Sequence, residues 1–373
     1  MLLNIMMLIP ISEVAIAFTA TAGLILLLNP MAIKLGLVDQ PDSRKLHSGT
    51  PAMIGGIAIW LGVFIYLLSL ADIDPITGCF LLSTGLMVFV GTLDDRFNLP
   101  VRLRIGIEVA VASIMIVFAD LWVGNIGNLL GLGEMHLSPW VAYPFTVIAV
   151  FGVINAINMI DGLDGLAASI ALAAIILLLM FGGNSSTLSS VGPPLVGALG
   201  AFLLFNIQFT SFLPKVFLGD AGSKLIGLTL VWVLIEAAQS DAAFRAGINP
   251  ATALYLIGMP LIDMVVTTLR RIYTKQPPFK ADRSHIHHLL LDGGFSKTGA
   301  LAIILGLSVA INVLGLVLNW HNVSELIQFA IIFGLFVFYG LATSCAWGVL
   351  AAKLPIVTAS DSTKAAPLDS KLR

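Results

Sequence analysis

Hydrophobic residues along this chain come in long unbroken runs, not in alternation with polar ones. Eleven runs can be drawn, at about 11–35, 53–71, 76–93, 104–123, 141–157, 165–182, 193–213, 224–239, 250–272, 299–319 and 325–350. Most approach the roughly 20 apolar residues that a helix needs to cross a hydrocarbon core about 30 Å thick. Continuous runs exclude a β-barrel, whose strands alternate, and backbone polar groups in lipid are otherwise satisfied only within helices. The pattern therefore predicts an all-α integral membrane protein, a bundle of about 11 transmembrane helices. Residues 1–353 are expected to form one polytopic domain. The stretch 354–373, "LPIVTASDSTKAAPLDSKLR", is rich in Ser, Thr, Ala and Pro and reads as a disordered tail.

Charge placement orients the bundle. No Lys or Arg precedes Lys34, so the first run lacks the basic flank of a cleaved signal and is expected to remain in the membrane. With eleven spans, every Lys and Arg except Arg245 falls on one side. By the positive-inside rule that side is the cytoplasm, which places the N-terminus on the periplasmic side and the C-terminus inside. Only 11% of residues are charged, against about a quarter in soluble domains. Acids and amides that interrupt so apolar a chain therefore ask for a reason. Cys79 and Cys345 fall at opposite faces in this topology, and no disulfide between them is expected.

Five polar clusters lie on the cytoplasmic side. The first, Asp39 to Pro51, carries Arg44, Lys45 and His47 beside glycines. It suits a phosphate-bearing ligand, or serves as a plain basic flank. The second is Asp94-Asp95-Arg96 at the end of the third run. Acids are disfavoured at a helix C-terminus, and adjacent carboxylates there call for a metal or a cation. The third is "NMIDGLDG". Asn155, Asn158, Asp161 and Asp164 are spaced by three, along one drifting helical face that offers oxygen ligands to a hard cation such as Mg²⁺. Helix capping explains one of these aspartates but not both together with the two asparagines. The fourth is Asp220 in "GDAGSK", which by itself also reads as a cap. The fifth is the loop 271–297. There Arg283, His285, His287 and His288 suit phosphate better than zinc, since no cysteine lies nearby.

Taken in order, "LVDQPDSRKLHSGTPAMIGG", "GTLDDRFNLPVRLRIGIE", "INAINMIDGLDGLA", "VFLGDAGSKLIG", "PLIDM" and "DRSHIHHLLLDGGFS" resemble the motifs of the polyprenyl-phosphate N-acetylhexosamine-1-phosphate transferases, over about residues 30–300. The resemblance implies Mg²⁺-dependent phosphoryl transfer, with Mn²⁺ able to substitute, from a UDP-sugar to undecaprenyl phosphate at the cytoplasmic face of a bacterial inner membrane. Carried over residue by residue, it implies Asp220 and Asn158 as metal ligands and Asp94 as the group that deprotonates the lipid phosphate or attacks as a nucleophile. Asp95, Asp161 and Asp164 would stand around the reacting groups, and Asn155 and Asn206 beside the nucleotide. Lys45, His47, Arg283, His285, His287 and His288 would receive the diphosphate and sugar. "HIHH" resembles the branch that uses UDP-N-acetylglucosamine, on the way to a surface polysaccharide such as O-antigen.

The resemblance leaves room for a homodimer, and no nucleic-acid partner is expected. A transporter is the rival of another class. It would carry its ionisable residues near the midplane, whereas here only Glu108 and Asp263 lie deep. A CDP-alcohol phosphotransferase would continue Asp-Gly with Ala-Arg, and the chain reads "GLAASIALAAI" after Asp164.

Overall fold

A computed structural model describes residues 10–39, 50–70, 73–181, 185–208, 210, 212–239, 247–277 and 284–353. In chain order the elements are α1 (Ile11–Leu35), β1 (Ala52–Met53), α2 (Gly55–Leu68), α3 (Pro75–Phe97), α4 (Val101–Phe118), α5 (Pro139–Ile160), α6 (Leu166–Phe181) and α7 (Ser186–Asn206). There follow β2 (Val216–Phe217), α8 (Gly219–Gln239), α9 (Pro250–Leu256), α10 (Gly258–Tyr273), α11 (Ile286–Asp292), α12 (Lys297–Trp320) and α13 (Glu325–Lys353).

Every apolar run becomes helix, yet the helices are not eleven equal spans. Seven are long and apolar enough to cross a membrane, and an eighth forms if α9 and α10, bent by 81° at Ile257, count as one. α2 has 14 residues, about 21 Å of rise, and α6 has 16. α4 carries Arg102, Arg104 and Glu108 near its start, so its polar end belongs to the site and not to lipid. Among the described residues, strand is confined to a two-residue parallel pairing, Ala52 with Val216 and Met53 with Phe217, and two isolated bridges, Val38 with Ala52 and Asn125 with His136. The parallel pairing ties the loop before α2 to the loop before α8.

α8 is the axis of the bundle. Its sequence is apolar on every face, the mark of a helix enclosed by others. Every residue from Ala221 to Ile235 is buried, and α8 packs on α2, α3, α5, α6, α7 and α9. The polar first turn of this enclosed helix, Gly219-Asp220-Ala221-Gly222-Ser223-Lys224, is thereby held among the ends of its neighbours.

Candidate active site

The site is built around that first turn. Gly219 takes φ +72°, a left-handed conformation open to glycine, and a Cβ there would fall 2.5 Å from Asp95 Oδ2. This lets α3 bring Asp95 against the start of α8, where its carboxylate accepts from Asp220 N at 2.8 Å and Ala221 N at 3.2 Å. An acid on the unsatisfied N–H groups of a helix N-terminus is favoured by both hydrogen bonding and the helix dipole.

Asp94, one residue earlier, faces another way and is 4% exposed. Its Oδ2 lies 2.6 Å from Lys224 Nζ and 3.3 Å from Arg104 Nη1, and its Oδ1 accepts from Leu99 N at 2.9 Å. Both oxygens are committed to cations or backbone. Asp94, which the resemblance implies as the group that deprotonates the lipid phosphate or attacks as a nucleophile, stands here between two cations and a backbone N–H. Asp220 is more open, with a third of its side chain exposed. Its Oδ2 lies 3.1 Å from Lys224 Nζ, and its Oδ1 accepts from Asn158 Nδ2 at 3.2 Å. Asn158 also donates to Ser223 Oγ at 2.8 Å.

The expected face of four residues spaced by three holds for two of them. α5 ends at Ile160, so Asn155 and Asn158 share the helix while Asp161 caps it and Asp164 lies in the turn beyond. Asn155 donates to the buried Glu108 at 2.8 Å. Asp161 is pushed up to about 8, first by burial and then by the nearby carboxylates of Asp220, Asp164 and Asp95. Asp164 turns to Lys215, 2.7 Å away. Asn206, expected beside the nucleotide, is buried with its amide spent on backbone. It accepts from Gly165 N and donates to Val216 O at 2.8 Å, joining the "DGLDG" turn to β2.

The histidines close the other side. His285, His287 and His288 line a cavity of about 340 Å³ together with Arg104, Glu108, Asn155, Asn158, Gly162, Lys224 and Arg271. A Cβ on Gly162 would sit 2.1 Å from His287 Nε2, so the glycine is what admits this ring to the turn. Lys45, His47 and Arg283 lie outside the described residues. The cations seen at the cavity are instead Arg104, Lys224 and Arg271, which the sequence reading used only for orientation. Asp263, read from sequence as a deep acid, also reaches this site, through His285 at 2.7 Å. One signal could have found them: Arg104/Glu108, Asp220/Lys224 and Asp263/Thr267/Arg271 each repeat at i, i+4 and so share a helix face.

Among the described residues no three His, Cys, Asp or Glu side chains converge to hold an ion unaided. Mg²⁺ does not require that. It is commonly held by one or two carboxylates, with water and substrate phosphate completing the shell. Asp220 and Asn158 offer hard oxygen donors, and the carboxylates that add to burial in raising Asp161 make a negative field such an ion would relieve. The residues fit the group.

Fold and site define a membrane-embedded enzyme with its polar chemistry gathered at one end of the bundle. Residues 77–238, which contain Asp94, Asp95, Asp161, Asp164 and Asp220, match the family model described as Glycosyl transferase family 4. The chain belongs to the family of the undecaprenyl-phosphate alpha-N-acetylglucosaminyl 1-phosphate transferases. It is 36% identical over 343 residues to the enzyme of that name from Salmonella typhi, covering 91% of this chain and 92% of that one. It is 35% identical to the enzyme from Escherichia coli K12, with 89% and 90% covered. With the enzyme from Haemophilus influenzae the identity is 34%, with 90% and 95% covered.

Proposed function

We propose that this protein transfers N-acetylglucosamine 1-phosphate from UDP-N-acetylglucosamine to undecaprenyl phosphate. An oxygen of the lipid phosphate attacks the β-phosphorus of the donor. The bond from that phosphorus to the bridging oxygen breaks, UMP leaves with the oxygen, and the sugar phosphate remains on the lipid as a diphosphate. The names of the relatives supply the acceptor and the transferred group. The observation that carries the reading is the cavity itself, lined by Arg104, Lys224 and Arg271, two of which, Arg104 and Lys224, are paired with Asp94, and Lys224 also with Asp220.

Transfer between phosphates needs little covalent chemistry from the protein, mainly in-line positioning and neutralisation of charge. Arg104 and Lys224, already tied to Asp94, would receive the acceptor phosphate, and Arg271 beside His285 the donor diphosphate. Asp220 and Asn158 would hold Mg²⁺, which would neutralise the donor phosphates when bound. Asp161, beside them, can hold a proton near neutrality. The bundle is taken to lie with this end at the cytoplasmic face of the inner membrane, because all but one of the cations sort to that side.

Purified protein should release UMP from UDP-N-acetylglucosamine only when undecaprenyl phosphate and Mg²⁺ are both present. Release that ignores the lipid, or passage of the intact UDP-sugar across vesicles, would reject the reading.

A further inference from the structure

Asp263 lies inside the bundle at 1% exposure, on α10, away from the cluster around Asp220. Its two oxygens are divided. Oδ1 accepts from Ile286 N at 3.1 Å and from the hydroxyl of Tyr339 on α13, while Oδ2 lies 2.7 Å from Nδ1 of His285. The other ring nitrogen, Nε2, lies 3.3 Å from a guanidinium nitrogen of Arg271. Among the described residues, the other charged or titratable groups about this ring are His287, whose ring stacks on it at 5.8 Å, His288 beside His287, and Lys224, Arg104 and Glu108 across the cavity.

The chemistry of the two neighbours decides the state of the ring. Arginine has only donors, so the nitrogen facing it accepts. An ionised carboxylate has only acceptors, so the nitrogen facing it carries the proton. His285 is therefore a neutral imidazole with its proton on Nδ1. A cationic His285 would set an N–H against the N–H groups of Arg271. The ring works as a strut between an acid and a guanidinium, not as a phosphate-binding cation.

We propose that Asp263 is a positioning residue. Through the Nδ1–H form of His285 it aims Arg271 into the cavity, and through Tyr339 it makes α13 part of the site. The activity arm of this proposal rests on the transferase reading, while the state of the ring does not.

The hydrogen-bond pattern makes Asp263→Asn a sharp test. Two donors, Ile286 N and the Tyr339 hydroxyl, meet at Oδ1, so the amide oxygen of the variant must stay there. Its NH₂ then faces Nδ1, which forces the ring proton to Nε2 and sets it against Arg271. An aspartate that fixes a histidine tautomer elsewhere is worth about 10⁴ in turnover, and a group acting through a binding arginine should be worth less, about 100-fold.

The experiment is ¹⁵N NMR of histidine-labelled full-length protein in nanodiscs, with His285 assigned by its loss in His285→Gln. UMP-release kinetics are run on the same samples. Wild type should show His285 protonated at Nδ1 alone. Asp263→Asn should move the proton to Nε2, lower kcat about 100-fold and raise KM for the UDP-sugar. Asp263→Glu should keep the proton on Nδ1 and recover part of the activity. A purely structural role would lower the active fraction with KM unchanged.

An imidazolium or an Nε2–H ring in wild type overturns the proposal. So does a folded Asp263→Asn within threefold of wild type, or one with unchanged KM. If Asp263→Asn does not fold, the wild-type spectrum and Tyr339→Phe decide. Tyr339→Phe should keep the Nδ1 proton and raise KM several-fold, and unchanged kinetics there would remove α13 from the site. A wild-type protein that releases no UMP would reject the transferase reading and leave the ring assignment to its spectrum.

Discussion

Gly91 lies one helical turn before Asp94 and Asp95, on the face of α3 that meets the start of α8. A Cβ at this position would fall 2.4 Å from Ala221 Cα, 2.7 Å from Ala221 N and 3.1 Å from the Asp220 carbonyl carbon, where ordinary contact begins at 3.4 Å. All three are backbone atoms, which cannot swing aside as a side-chain tip can. Gly91→Ala must therefore push α3 and α8 apart by about 1 Å. In an open helix this exchange would stabilise by up to about 1 kcal/mol, but overpacking of a filled interior costs about 1–3 kcal/mol, so a small net loss of stability is expected. The larger effect falls on activity. The bonds from Asp95 to Asp220 N and Ala221 N, at 2.8 and 3.2 Å, would stretch beyond useful length, and a displacement of about 1 Å at a reacting centre costs on the order of 10² in rate. The assay is kcat/KM for UMP release beside a thermal melt. Gly78→Ala is the control: it lies on the same helix with nothing within 4 Å, and should leave kcat/KM unchanged while holding or slightly raising the melting temperature. A Gly91→Ala enzyme within threefold of wild type would refute the claim that this contact sets the position of Asp220, as would equal damage from Gly78→Ala.

Two further outcomes follow from the charges. Lys224→Met leaves Asp94 with Arg104 as its one cation among the described residues, and loss of one partner of a buried pair costs about 3 kcal/mol at the lower end of the usual range. Asp94→Asn added to it should restore part of that loss, and strictly additive melts in the four-protein cycle would remove the pair from the account. Asp161 has a folded value of about 8 against about 4 when unfolded, so it binds more protons folded than unfolded in between. Metal-free protein should lose stability as pH rises from about 4 to about 8, and Mg²⁺ should flatten the slope. A melting temperature indifferent to pH over that window without metal would contradict the crowding of carboxylates.

Much of this architecture was legible as pattern because lipid imposes it. Each apolar run is a helix, and the motifs carrying Asp94, Asn158 and Asp220 do meet. What the pattern could not show are contacts set by packing between distant segments. The bond from Lys224 to Asp94 spans 130 positions, and no local spacing announces it. The run 250–272 carries a visible interruption at "GMP", but the 81° bend at Ile257 is set by packing: both halves touch α12 and α13, while α9 also meets α8 and α10 also meets α5. Asn206 is set beside the nucleotide by the resemblance alone. Its two backbone bonds are long-range ties that only the folded turn supplies. α2 and α6, at 14 and 16 residues, are shorter than the runs that announce them, because much of their stability comes from packing in the bundle around α8.

The paired acids Asp94-Asp95 show how a motif divides its labour. Adjacent helical positions point about 100° apart, so two neighbouring carboxylates seldom serve one ligand together. Here one turns inward to Lys224 and Arg104, while the other closes the N-terminus of α8. Both are needed to hold the first turn of α8 in place, and both are occupied in doing so. The acids left partly open are Asp220 and Asp164, each about a third exposed, and Asp161 at the end of α5. A carboxylate that must exchange partners with a ligand is to be sought among these three, with Asp94 and Asp95 as the frame around them. Neutralising Asp95 should then damage the enzyme by displacing Asp220, the same route by which a methyl group on Gly91 acts.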